Sequence, residues 1–304
     1  MDSSIKTPLY PSLDLDKWEE TKKTIHLFIQ IIGKIRLTLC PKANHWWHAP
    51  LYVSVRGLTT RPIPYGDKVL EMEFDFIHHV LSIKTSDGHH ELIKINNVSV
   101  SEFYKSVFKT LKGLGIELSI NAIPYDNESK IAFEENHIND QYDAEYVNRF
   151  WKILVLVNTV FERFRAKYTG KSTPVQLYWH HLDLVVTRFS GNLSPERSWP
   201  TNVEREAYSH EVISFGFWAG DENIREPAFY AYMYPEPEGL EKQKIKPNEA
   251  TWNTDPGYAM ALLPYEAVRL SESPESKIME FLDSVYEAGC SISDWDSGKF
   301  EMLA

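Results

Sequence analysis

The chain has 304 residues, 43% of them apolar and 25% charged, which is an ordinary balance for a folded globular protein able to bury a sizeable core. Its net charge of −11 repels phosphate backbones and argues against nucleic acid as a partner, and no run of about 20 apolar residues offers a membrane span. Two cysteines, Cys40 and Cys290, imply neither a disulfide framework nor a paired metal motif.

The first segment, Met1 to Asp16, is polar and contains Pro, without the apolar core of a signal peptide, so the expected address is cytoplasmic. A helix is predicted from Leu15 to Leu39, because Trp18, Ile25, Phe28, Ile29, Ile32, Ile35 and Leu39 recur close to the helical period and Pro41 stops it. A strand is expected at Leu51–Thr59, then a turn at Pro62–Gly66. Val69–Phe76 alternates, with Leu70, Met72, Phe74 and Phe76 on one face and Glu71, Glu73 and Asp75 on the other. Strands Val80–Thr85 and Glu91–Ile95 flank the hairpin turn Asp87-Gly88. Ser99 and Glu102 form a capping box for a helix ending at Gly113, and Ile116–Ile123 reads as a strand.

Residues 124–142 read as a polar connection between two halves, 15–123 and 143–289. The longest apolar helix is predicted from Asp143 to Tyr168, with a wide stripe from Tyr146 to Phe164. Strands follow at Val175–Trp179, Leu182–Phe189, Tyr208–Phe217, Ala228–Tyr234 and Ala259–Leu263. A last helix opens with Ser273 and Pro274 and ends at Gly289. Both halves run from a long helix through a strand carrying a late Arg (Arg56, Arg188) to further strands and a shorter helix, an order that internal duplication would leave.

Several stretches resemble a bacterial family of unknown function, DUF5996. They include Trp47-His48-Ala49-Pro50-Leu51-Tyr52-Val53, Arg56-Gly57-Leu58-Thr59-Thr60, Phe74-Asp75-Phe76-Ile77 with His79, Phe150-Trp151, Asp183-Leu184 and Thr187-Arg188-Phe189-Ser190-Gly191. Glu206-Ala207-Tyr208-Ser209-His210-Glu211-Val212, Pro227-Ala228-Phe229-Tyr230, Tyr234-Pro235-Glu236-Pro237 and Leu263-Pro264-Tyr265 extend the similarity over nearly the whole chain. The resemblance implies one unit over 1–304 and lends no activity. Family members often carry Gly after the Trp matching Trp179, where this chain has His180-His181.

Candidate chemistry gathers around His and Arg. His210 could act as a general base, since imidazole titrates near neutral pH, or could be a half-buried strand His. Strand alternation sets Ser209 and His210 on opposite faces and so excludes a nucleophile–base pair between them. No Gly-x-Ser-x-Gly turn, Walker loop or His-Glu-x-x-His is present. Arg56 and Arg188 could clamp an anion bidentately or pair internally. Glu211, His48, Asp75 and His79 are the supporting acid–base candidates. Glu71, Glu73 and Asp75 are either a solvated face or, if covered, carboxylates that raise one another's pKa. His45 and His48 could share a helical face, but without a third ligand they make an aromatic plug as readily as a metal site. Trp179, Tyr208 and Tyr230 would line an aromatic pocket. Tyr230, Tyr232 and Tyr234 share one strand face ending at Glu236, a row suited to a sugar or another flat polar ligand, or to sheet packing.

The expected fold is α+β, with antiparallel-rich sheets against two long and two shorter helices. The expected function is a cofactor-free, non-redox enzyme acting on a small polar or anionic molecule through His210. The alternatives are a non-catalytic, sugar-like ligand binder and a protein–protein interaction module. No resident metal or cofactor is expected.

Overall fold

The computed structural model describes residues 9–125, 130–255 and 257–300. Residues 1–8 of the polar N-terminal stretch and 126–129 of the expected connection lie outside the described residues. The fold is α+β, with α-helices and two antiparallel sheets. No helix among the described residues is long and apolar enough to cross a membrane. The chain divides into two compact units, one made of Asp16–Trp151 with Gln176–Asp183, the other of Met1–Leu15, Lys152–Val175 and Leu184–Ala304.

In the first unit, α1 (Leu15–Leu39) has the predicted limits, and Trp18, Ile25, Phe28, Ile29, Ile32 and Ile35 are sealed in the core. The expected strand Leu51–Thr59 is broken in two, β1 (Tyr52–Val53) and β2 (Gly57–Thr59), which pair antiparallel. A tight turn joins them, closed by the Ser54 amide on the Gly57 carbonyl at 2.9 Å. A Cβ on Gly57 would overlap the Phe74 carbonyl, so only glycine lets β2 lie this close to its neighbour. The expected turn at Pro62–Gly66 contains a short strand, β3 (Ile63–Tyr65). It pairs with β4 (Lys68–Asp75), which is followed by β5 (Val80–Thr85) and β6 (His90–Lys94). The sheet order is β1-β2-β4-β5-β6.

Alternation along β4 sorts as predicted. Leu70, Met72 and Phe74 are fully buried, and Leu81 and Ile83 of β5 join them. Helix α2 (Val100–Gly113) carries the expected capping box of Ser99 and Glu102. Its Phe103 stacks on Phe28 of α1 at 4.2 Å and on Phe74 at 6.2 Å, locking both helices to the sheet. The strand expected at Ile116–Ile123 is absent. Side chains satisfy its backbone instead. The Glu117 amide donates to the Tyr65 hydroxyl (2.9 Å), and buried Lys34 donates to the carbonyls of Asn121 (2.9 Å) and Ile123. Helix α3 (Ala144–Ala166) passes from this unit into the other, and β7 (Gln176–Tyr178) returns to bond Leu51 through Leu177.

The second unit contains β8 (Asp183–Leu193), α4 (Asn202–Ala207), β9 (His210–Trp218), β10 (Ala228–Tyr234), β11 (Thr251–Asn253), β12 (Met260–Pro264), α5 (Tyr265–Arg269) and α6 (Pro274–Ser291). Its strands order as β11-β12-β10-β9-β8. Three of these elements, α4, α5 and β11, escaped the sequence reading, although Thr201 and Glu204 form a complete capping box for α4. One sheet face, with Phe215, Phe217, Phe229 and Met233, packs on Phe161 and Phe164 of α3 and on α6. Gly289 is not the expected helix stop. A Cβ there would stand 3.0 Å from the Met233 sulfur, so Gly289 serves close approach of α6 to the sheet. The first unit runs from α1 through β2-β4-β5-β6 to α2, with β1 and β3 added, and the second from α3 through β8-β9-β10-β12 to α6, with α4, β11 and α5 added.

Candidate functional site

Three of the nominated residues meet where β4 turns into β5. Arg56 Nε donates to Asp75 Oδ2 at 2.6 Å, and the backbone amides of Ile77 and His78 donate to Asp75 Oδ1 at 2.9 Å each. Burial opposes ionisation of Asp75, but Arg56 and the two amides outweigh it and hold the carboxyl near 2. Asp75 is buried, yet the raised pKa that a covered carboxylate face would bring does not occur there. Glu71 instead accepts from Thr59 (2.5 Å) and Glu73 from Ser54 (2.7 Å). His78, which the sequence reading passed over, brings Nδ1 to 2.6 Å from Arg56 Nη2. The same Nδ1 lies 3.1 Å from Asp75 Oδ2, so it accepts from the guanidinium in one tautomer and donates to the carboxylate in the other. His79 sits in the left-handed region (φ 55°) and contacts the Tyr142 hydroxyl through Nδ1 at 2.9 Å; burial lowers its pKa, against the pull of Asp75. Tyr142 borders a polar hollow of about 480 Å³ with Asn97, Glu102, His137 and Asp140. Glu102 is already committed to capping α2.

His48 and Trp179 belong to the packing of the same unit. His45 and Trp46 both adopt positive φ (53° and 60°), which breaks the helical turn on which His45 and His48 would have shared a face. The His48 ring stacks on Trp46, and its Nδ1 accepts from the Ala43 amide at 3.2 Å. His45 and His48 are both buried, against Trp47 and Trp46 respectively. Trp179, expected to line a pocket, is 2% exposed. Its indole donates to the Ala49 carbonyl (3.0 Å) and presses on Gly33, where a Cβ would overlap the ring. His180 stacks on it at 3.7 Å, and His26 of α1 donates to the Trp179 carbonyl at 2.8 Å. Desolvation drives His26 down to about 4 and His180 to about 3, so both imidazoles are neutral spacers around this indole at neutral pH. Among the described residues no group of three His, Cys, Asp or Glu is placed to hold a metal ion.

In the second unit Arg188 is no anion clamp. It is 3% exposed, and its guanidinium carbon lies over Phe164 (3.6 Å) with Tyr168 and Tyr286 around it. It donates to the Phe164 carbonyl at 2.6 Å, near the end of α3, where unpaired carbonyls welcome a cation. Glu211 accepts from Ser190 (2.6 Å) and Asn192 (3.2 Å), closing the irregularity of β8 around Gly191. Ser209 and His210 do touch, Oγ to Nδ1 at 3.1 Å, contrary to the expected separation. The reason is local: Ser209 lies in the bend between α4 and β9, where strand alternation does not hold. The contact still does not activate the serine. Ser209 gives its one proton to the Glu206 carbonyl (2.9 Å), so it accepts from His210, whose proton sits on Nδ1. Burial lowers the His210 pKa, and Lys171 acts in the same direction.

The face of this sheet turned away from α3 carries rings. Phe229, Ala231 and Met233 of β10 point into the core, while Tyr230, Tyr232 and Tyr234 are half-exposed on the opposite side. Tyr230 lies over Gly216 of β9, its register partner, where a Cβ would overlap the ring. Tyr232 is parallel to it (7°, centroids 6.2 Å apart). The Tyr232 hydroxyl bonds that of Tyr208 (2.9 Å), and Tyr208 stacks in parallel on Trp199 (9°, 5.3 Å). Arg197 spreads over Trp199 at 3.8 Å, with Tyr234 at 5.3 Å. Glu236, expected to end the row as a ligand group, accepts from the Ala259 amide at 2.8 Å. Tyr208, Tyr230, Tyr232 and Tyr234 were legible as candidates. Trp199, Trp218 and Arg197 were not, because they come from other segments, and the capping box of α4 was the one local signal that the Trp199–Tyr208 connection turns back.

Residues 10–302 match the model of a family described as a family of unknown function (DUF5996), and the chain belongs to it. No curated protein and no solved structure matches the chain.

Proposed function

We propose that this DUF5996 protein is a non-catalytic binder of flat, hydroxylated small molecules of the sugar type, held on the ring-bearing face of β9 and β10. The observation that carries the reading is the set of half-exposed rings on one side of a packed sheet, with Tyr230 flat on Gly216 and parallel to Tyr232. Ring faces offer apolar contact to the C–H face of a sugar, while tyrosine hydroxyls and the Arg197 guanidinium supply donors at the edges. Aromatic cover of a strand glycine accounts for Tyr230, and the surface extends beyond it because Tyr232 meets Tyr208 and Tyr258, and Tyr208 meets Trp199 and Tyr234.

The acid–base enzyme has less to rest on. Arg188 is sealed, the Ser209 proton is committed, Glu211 closes a strand irregularity, and Arg56 is spent on Asp75. Saturation-transfer NMR on the full chain with methyl glucosides, maltose and cellobiose tests the proposal. Transfer to ring C–H protons is expected, and it should vanish in Tyr232→Ala with near-UV circular dichroism otherwise preserved. Absence of transfer from every one of these sugars overturns the reading.

A further inference from the structure

We infer that the platform takes an extended chain of linked sugar rings rather than a single ring, an inference that rests on the reading above. The rings form a continuous series. Trp218 lies 5.1 Å from Tyr230, Tyr230 lies 6.2 Å from Tyr232, Tyr232 lies 6.5 Å from Tyr208, and Tyr208 lies 5.3 Å from Trp199. Each step is comparable to one sugar unit, so one ring would cover only a fraction of the series. The residues are spread over β9, β10 and the segment before β9, yet the Tyr208–Tyr232 hydroxyl bond joins the two groups into one surface.

The shape of the series selects the class of ligand. Within each of two pairs the rings are parallel, at 7° for Tyr230 with Tyr232 and 9° for Trp199 with Tyr208. Between the pairs the surface turns by 52°, and at the far end Trp218 meets Tyr230 at 60°. A rigid polycycle can lie on one pair but not on both. A chain with rotatable glycosidic bonds can follow the turn. Arg197 marks one end. Its guanidinium face is taken up by Trp199 and Tyr234, and these rings are its contacts among the described residues, so its N–H edges are left to hydrogen-bond hydroxyls of a terminal unit. Single-stranded nucleic acid also stacks on aromatic series, but it requires a basic groove, and this chain has a net charge of −11.

The test is a chain-length series on the unaltered full chain. Glucose oligomers of one to six units, α-1,4- and β-1,4-linked, are titrated by calorimetry beside an oligothymidylate. Affinity for one linkage series should rise by roughly 3- to 10-fold with each added unit over the first few and then level off. Trp199→Ala and Trp218→Ala, at opposite ends, should each weaken the longest oligomer by about that factor, and only one of them should affect the disaccharide. A disaccharide that binds as tightly as the hexamer overturns the extended-chain inference and leaves the sugar-binding reading intact. No binding at any length, or binding of the oligothymidylate alone, overturns both.

Discussion

Arg56 and Arg188 come from similar sequence surroundings, Arg56 after Val53-Ser54-Val55 and Arg188 after Val185-Val186-Thr187, and end in opposite environments. Arg188 lies in a strand covered by α3 and α6, with its charge on three aromatic rings and a helix-end carbonyl. Arg56 lies in the turn between β1 and β2, 37% exposed, and is neutralised by Asp75 beside His78. The contrast teaches that an arginine in or beside a strand of an α+β unit takes its role from the layer above it. Under helices it becomes part of the core, and at a sheet end it becomes half of a carboxylate pair. Neither arrangement leaves a clamp for substrate.

The largest effect that could break this contrast is at Arg188. Arg188→Ala should cost about 2–4 kcal/mol in urea denaturation, because it empties a fully packed site. Arg188→Met should recover much of that, since it refills the volume without a buried charge. A cost below about 1 kcal/mol for the alanine variant would mean that the arginine is not part of the core.

Asp75 comes next. Asp75→Asn should cost about 1–2 kcal/mol at neutral pH, through weakened bonds to Arg56 and two amides. The sign of its pH dependence follows from the direction of the shift. The folded carboxyl is held at about 2, below its ordinary 3.8. Its stabilisation is therefore complete above the ordinary value and is lost as pH falls from there toward 2. Equilibrium unfolding across that window should be steeper in the parent chain than in Asp75→Asn. Equal slopes would show that Asp75 is not the group being titrated.

The smallest effect is expected at Arg56. Arg56→Ala should cost less than about 1 kcal/mol, the range of a partly exposed pair, and the difference should shrink in 1 M salt. The Arg188→Ala difference should be nearly indifferent to salt. A salt-insensitive Arg56 and a salt-sensitive Arg188 would reverse the assignment of the two environments.

Much of the fold was legible where spacing alone carries it. The limits of α1 follow from its apolar period and from Pro41, and the buried face of β4 from strict alternation. The predicted start of α2 rests on Ser99 and Glu102, whose side chains bond each other's backbone amides. The failures have physical causes. Ile116–Ile123 looks like a strand, but its carbonyls go to Lys34, and no neighbouring strand pairs with it. The strand expected at Leu51–Thr59 folds back in a turn closed by Ser54 on Gly57, and Gly57 then passes against the Phe74 carbonyl. Of the proposed binding surface, the row Tyr230, Tyr232, Tyr234 could be read from alternation. Its continuation through Tyr208 to Trp199 and Arg197 depends on how α4 turns back toward the sheet.

The sequence by itself determined the long helices and most of the longer strands, which of their faces are apolar, and that one face of β10 is a row of tyrosines. These properties rest on periods of 3.6 and 2, which need only near neighbours in the chain. The tertiary structure alone decided what each polar side chain does. It sent Arg188 into an aromatic cage, tied Arg56 to Asp75 and His78, turned Ser209 into an acceptor for His210, and joined Trp199 to the tyrosine face. Each outcome depends on a partner distant in sequence or on a bend between elements, and burial and hydrogen-bond geometry choose that partner only once the layers have packed.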